Sequence, residues 1–202
     1  MKSQKWRRQR KRTAGFSLTE LVVTMAVALV LIGIGMPSFL KAYHAYQLSN
    51  AASQLSDILR LTRYDAIRHN VRITEFCVLK PDAADPTMTD VFADANGDGN
   101  PSPMEKIILL NNGGNVVDPG GVPGAAALLT TANITSAPIL ATPGNFQVGF
   151  DSRGAVISSK VTIFYLASGL ATDAGYRAVL LMPAGAIQVW TGDGAGNWAQ
   201  LR

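Results

Sequence analysis

Cysteine is all but absent from this chain. Cys77 is the only one in 202 residues, so no intrachain disulfide can form. It falls within an apolar strand pattern, Ile73 to Leu79, where a buried small hydrophobe fits better than a reactive thiol. Histidine is nearly as scarce. His44 and His69 lie far apart on what reads as one helix and offer no metal or catalytic spacing. No Ser/His/Asp or Cys/His set supplies a base with an orienting partner, so no catalytic residue is assigned and the chain is not expected to be an enzyme. Acids are missing before Glu20, and proline is missing before residue 80 except at Pro37. No repeat of solenoid period is visible.

The missing acids leave Lys2, Lys5, Arg7, Arg8, Arg10, Lys11 and Arg12 unopposed. These seven inflate the formal net charge of +4. With them set aside from the 18 Lys and Arg, the rest of the chain sums to about −3 against its 14 Asp and Glu, on the counting used for charge patterning. A general affinity for nucleic acid does not follow. A basic cluster ahead of an apolar run instead predicts a cytoplasmic N-terminus and a C-terminal domain across the membrane.

That apolar run extends from Leu21 to Met36 with Thr24 as its only polar side chain, and Glu20 stands at its entrance. A carboxylate inside a lipid-facing helix costs about 2.5–3.5 kcal/mol on insertion scales, so its presence there points to function. An ordinary secretory signal carries its small-residue cleavage site after the apolar segment and loses that segment. Here the small residue, Gly15, comes first, so the stem would survive cleavage.

The string Gly15-Phe16-Ser17-Leu18-Thr19-Glu20, placed between a basic leader and an apolar stem, resembles the class III signal of type IV prepilins and type II secretion pseudopilins. The resemblance implies cleavage between Gly15 and Phe16 by a prepilin peptidase, N-methylation of Phe16, and a filament-assembly role for Glu20. The Glu20 carboxylate would pair with the methylated amine of a neighbouring subunit, and only one axial offset permits that pairing. Pro37 stands where the stems of these families commonly carry a proline. The implied partners are other pilins or pseudopilins, the peptidase/methylase and the inner membrane.

One helix is expected from Ser17 to about Asn70. Residues 16–40 form a transmembrane stem after a cleaved leader, 1–15, long enough to cross a bilayer with some tilt. Pro37 lacks the N–H that would reach the Gly33 carbonyl, so a kink or loosened turn is expected there. Residues 41–202 form a periplasmic or extracellular globular domain, with an amphipathic helix over 41–70 and a β-rich remainder over 71–202. In the helix, Leu48, Ala51, Ala52, Leu55, Ile58, Leu59, Thr62, Ala66 and Ile67 recur at helical spacing.

The junction Leu61–Asn70, running into a strand-like Val71–Leu79, is similar to that of the GspH/FimT group of minor pilins and pseudopilins. The fold implied is α+β and type IV pilin-like, a long N-terminal helix packed on antiparallel β-sheets. Candidate strands are Val71–Leu79, Lys106–Asn111, Phe146–Phe150, Val156–Leu166, Tyr176–Met182 and Ala186–Thr191, with Asp151–Gly154 as a hairpin turn. Residues 113–143 read as a long excursion with at most short strands.

Two further features concern ligands. Asp94, Asn96, Asp98, Gly99 and Glu105 fit the spacing of a calcium loop, with the Asn100 carbonyl as a further ligand. The strand-like flanks Val91–Ala93 and Ile107–Leu110, with Pro101 and Pro103, argue instead for a hairpin loop held by side-chain to backbone bonds. No cofactor is required, and calcium is the one candidate. Some FimT-like pilins bind DNA in natural transformation through a C-terminal Gly-Arg-x-Arg motif. Here the tail reads Gly196 to Arg202 without it, and Trp190 and Trp198 fit packing better than base stacking. A DNA-binding minor pilin is therefore the alternative, and nucleic acid is not an expected partner. The expected function is that of a structural subunit in the assembly of a type II secretion pseudopilus or type IV pilus.

Overall fold

The computed structural model describes residues 15–70, 75–111, 113–170 and 172–201. The basic leader, the first part of the expected strand at 71–74 and Arg202 lie outside them. The chain divides into two units between Phe39 and Leu40.

Helix α1 runs Leu18–His69, within a residue of the expected limits at both ends. Its assignment as helix continues through Pro37. Among the described residues α1 is the one helix long and apolar enough to cross a membrane. Every side chain from Gly15 to Tyr43 is exposed.

Among its described residues the second unit holds α1 from Leu40 onward, a short helix α2 (Ala125–Thr131) and ten strands. These are β1 Glu75–Pro81, β2 Thr89–Asp94, β3 Ile107–Leu110, β4 Asn115–Val116, β5 Ile139–Leu140, β6 Phe146–Phe150, β7 Thr162–Ala167, β8 Tyr176–Leu181, β9 Ile187–Gly192 and β10 Trp198–Gln200. One antiparallel sheet has the order β3-β2-β1-β6, and a second has β10-β9-β8-β7-β4. Among the described residues the one parallel pairing is β5 on β7, with Ile139 opposite Thr162. A long helix packed on antiparallel sheets is the architecture expected from the sequence.

The helix stripe explains the core. Leu48, Ala52, Leu55, Ile58 and Leu59 of α1 are fully buried against Cys77, Val91, Phe150, Phe164, Leu166 and Val179. Ile67 departs from the expected stripe, being 42 % exposed. The second sheet is covered on both faces. Ile163 and Tyr165 alternate with Phe164 and Leu166 along β7 and pack in a second core with Leu128 of α2, Trp190 and Trp198. This is why β7 reads as an unbroken apolar run rather than an alternating one.

That second core corrects the reading of residues 113–143. The excursion contributes α2 and the two short strands β4 and β5, and Leu128 is fully buried. The Trp198 indole donates to the Gly124 carbonyl at 2.9 Å, tying the C-terminal hairpin to the start of α2. Gly124 (φ 66°) and Gly196 (φ 86°) meet backbone to backbone there, a close approach that a Cβ would obstruct. The expected strand at Val156–Leu166 begins later, at Thr162. Val156 instead makes an isolated bridge with Phe150, and the turn between them is the expected one. Asp151 N–H donates to the Ala155 carbonyl at 2.9 Å, and the Asp151 carboxylate accepts from Arg153 and Ala155 amides.

Candidate functional site

Processing chemistry needs an accessible peptide bond, and Gly15 and Phe16 precede the first turn of α1 without regular structure. Phe16 is 78 % exposed, and nothing lies within 4 Å of where a Gly15 Cβ would stand. The helix begins locally. Leu21 N–H donates to the Ser17 carbonyl at 3.1 Å, and the Ser17 and Thr19 hydroxyls lie 2.8 Å apart. Glu20 falls in the first turn, where the unpaired N–H groups and the helix dipole favour a carboxylate. Thr24, the lone polar side chain between Leu21 and Met36, returns its hydroxyl to the Leu21 carbonyl at 2.9 Å. That bond lowers the cost of carrying the hydroxyl in an apolar helix.

The Asp94–Glu105 segment links β2 to β3 and closes on its own amides. Asp94 is 4 % exposed; its two oxygens accept from Gly97 N–H at 2.7 Å and Gly99 N–H at 2.9 Å. Glu105 accepts from Ala95 N–H at 3.1 Å and Ser102 N–H at 2.9 Å. The Asp98 carboxylate accepts from Asn100 N–H at 2.7 Å, and the Asn96 side-chain oxygen accepts from Asp98 N–H at 2.9 Å. Lys80 reaches over from β1 to donate to the Asn100 side chain at 2.9 Å. Gly97 and Gly99 carry φ of 76° and 67°, which lets the chain wind this tightly. Among the described residues no three His, Cys, Asp or Glu side chains converge as a metal-binding group.

Other residues singled out by sequence have packing roles. Burial pushes the Cys77 thiol up to about 12, partly offset by a hydrogen bond with Thr62, so the thiolate is suppressed. Trp190 and Trp198 are buried, and Trp198 meets Tyr165 edge-on at 5.9 Å. Asp193–Asn197 is the turn from β9 to β10, with Asp193 N–H donating to the Asn197 carbonyl at 3.1 Å. Arg63 of α1 bonds two distant turns. It donates to the Gly154 carbonyl at 3.0 Å and the Ala184 carbonyl at 3.4 Å. No local pattern announces such contacts, because both acceptors are backbone atoms far away in sequence.

Comparison with known proteins finds a match at the N-terminus. Residues 10–36 fit the family model described as the prokaryotic N-terminal methylation motif. That span holds Gly15, Phe16 and Glu20. No curated protein matches the chain significantly. Among solved structures, the chain is similar to the type IV minor pilin FimU of Pseudomonas aeruginosa strain PAO1 in two crystal forms. One is in space group P21, with TM-score 0.47, 14% identity, 76% of this chain and 93% of that one covered. The other is in P65, with TM-score 0.46, 14% identity, and coverage of 75% and 97%.

Proposed function

We propose that this chain is a minor pilin or pseudopilin of the GspH/FimT type, a structural subunit that helps assemble a type IV pilus or a type II secretion pseudopilus. The observation that carries the reading is the matched methylation motif over residues 10–36, with Gly15, Phe16 and Glu20 in the processing positions. On this reading a prepilin peptidase cuts the Gly15–Phe16 bond from the cytoplasmic side of the inner membrane and methylates the new amine. The stem over 16–40 stays in the bilayer with the globular domain in the periplasm. It then exchanges lipid for the stems of neighbouring subunits.

Glu20 supplies the register of that exchange. Its carboxylate is tolerable in an apolar bundle only when paired, and the amine of Phe16 on an adjoining subunit is the matching cation. The stem's exposed apolar side chains, from Leu21 at 48 % to Leu29 at 70 % exposure, are what lipid or sister stems would cover.

Mass spectrometry of the native polypeptide tests the reading directly. The expected mature chain starts at N-methylated Phe16, and Gly15→Glu leaves the uncleaved precursor. A Met1 start in the native protein would refute it. Glu20→Ala should insert in the membrane yet fail to enter filaments, whereas normal incorporation would reduce the stem to a plain anchor.

A further inference from the structure

The second unit carries a cleft that neither the processing signal nor the Asp94–Glu105 loop uses. Its volume is about 500 Å³, within the range of about 300–1,000 Å³ common for small-ligand sites. Arg177 of β8 lines it and is only 8 % exposed. The guanidinium donates to the Ser49 hydroxyl of α1 from Nε at 3.2 Å and Nη2 at 3.0 Å, and to the Tyr176 carbonyl from Nη1 at 2.9 Å. These acceptors are all neutral. Among the described residues the one ion pair is the surface pair Asp57–Arg60, so no carboxylate answers this buried cation. Burial lowers the pKa of Arg177 from its ordinary value, as expected of a charge held without a counter-ion.

Lys41 lines the same cleft, as do Asp173 and Asp193. Asp193 is held ionised, because the side chain and backbone of Asn197 donate to it and draw its pKa down. The cleft therefore gathers two cations and two carboxylates that do not pair with one another. A simple anion would satisfy Arg177 and face the carboxylates; a simple cation would do the reverse. A molecule carrying both signs matches both. Lys41 is also the first residue past the 16–40 stem, within a side chain's reach of the bilayer surface, where lysines extend to headgroups.

We propose that this cleft binds the headgroup of a zwitterionic phospholipid with a primary amine, of the phosphatidylethanolamine type. Arg177 and Lys41 hold the phosphate, and Asp173 and Asp193 receive the ammonium. The guanidinium has five N–H donors and its neutral acceptors engage three, which leaves two for phosphate oxygens. A primary ammonium offers three N–H donors to the carboxylates, whereas a trimethylated one offers none. The assignment rests on reading 16–40 as a membrane stem.

The test titrates the full chain in detergent with phosphatidylethanolamine, phosphatidylcholine, phosphatidylglycerol and free phosphoethanolamine, counting retained molecules by native mass spectrometry. One phosphatidylethanolamine per chain is expected, held about tenfold more tightly than the other two lipids. Asp173→Asn and Lys41→Gln alter exposed side chains, and a thermal melt verifies their fold; each should abolish the preference. Equal retention of the three lipids would overturn the proposal. So would retention of free phosphoethanolamine without lipid, which marks a soluble ligand. Retention of none would also overturn it and leave Arg177 for an acidic side chain of a neighbouring subunit. Flotation with phosphatidylethanolamine/phosphatidylglycerol vesicles separates the two readings. Failure to insert sinks the stem, while insertion without headgroup preference sinks only this site.

Discussion

From Leu18 to Tyr43 every side chain of α1 is exposed, while from Leu48 to Ala66 a stripe of the same helix is buried in the globular core. Both stretches are rich in apolar residues, yet they differ in how those residues are arranged. The first is apolar on all sides, which suits a surrounding apolar solvent. The second is apolar along one stripe, with Asp57 and Arg60 outward, which suits a helix laid on a sheet. Helix propensity does not explain the contrast, since the exposed stretch holds Gly33, Gly35 and Pro37 and is helical all the same; the two differ in how their apolar side chains are arranged.

Equal truncations in the two stretches give the largest predicted contrast. Leu55→Ala removes a fully buried side chain and should destabilise the globular unit by about 2–5 kcal/mol in denaturant melts. Leu29→Ala removes one that is 70 % exposed and should leave the same melt within about 0.5 kcal/mol. An equal loss at both positions would end the distinction between them.

A finer contrast lies between two arginines one turn apart. Arg63 bonds the Gly154 and Ala184 carbonyls, so Arg63→Ala should cost about 1–2 kcal/mol. Arg60 makes only an exposed pair with Asp57 at 3.7 Å, and Arg60→Ala should cost about 0–0.5 kcal/mol. Matching losses would mean that Arg63 is no more structural than its neighbour.

The helix was legible because both of its patterns are local. A 3.6-residue stripe and an unbroken apolar run can each be read from consecutive residues. The hairpin at Asp151–Gly154 was legible for the same reason, its Asp and Gly marking the turn. The excursion at 113–143 was not. Ala125–Thr131 is helical, but it is short, largely apolar and preceded by Gly124, and only its packing on the second face of the second sheet gives it a reason to fold. Arg177 escaped notice likewise, since its significance depends on Ser49 and on carboxylates far off in sequence. The N-terminal motif matched over residues 10–36 was readable because it is one contiguous string.

Cys77 is packed beneath the buried stretch of α1 near Thr62 and makes a prediction in pH. Its thiol is pushed up to about 12 from an ordinary value of 9.0. Between those values the unfolded chain loses a proton that the folded chain keeps, so stability present below pH 9 is lost as pH rises towards 12. Between pH 8 and 10 the unaltered chain should lose about 1 kcal/mol relative to Cys77→Ala. A thiol reagent at pH 8 should modify Cys77 only on unfolding. Rapid labelling of the native protein would place the thiol outside the core that the helix stripe covers.

The smallest effect is expected where α1 plays no part, in the Asp94–Glu105 loop. Its carboxylates retain spare lone pairs despite the amides they accept, since an ionised carboxylate offers about four acceptor sites. What the loop lacks is convergence: among the described residues no three acidic side chains meet, and calcium requires six to eight oxygens around one point. Calcium would have to rewind a loop whose amides already satisfy Asp94 and Glu105. At 10 mM calcium a site with a dissociation constant of about 10⁻⁴ M would add about 2.7 kcal/mol through linkage, or about 5–11 °C in the melting temperature of a domain this size. The expected shift is less than about 1 °C on adding calcium or a chelator. A rise of several degrees, lost in Glu105→Gln, would show that the ion and not the amides organises this loop. The loop would then resemble the exposed stretch of α1, shaped for a neighbour that the isolated chain does not contain.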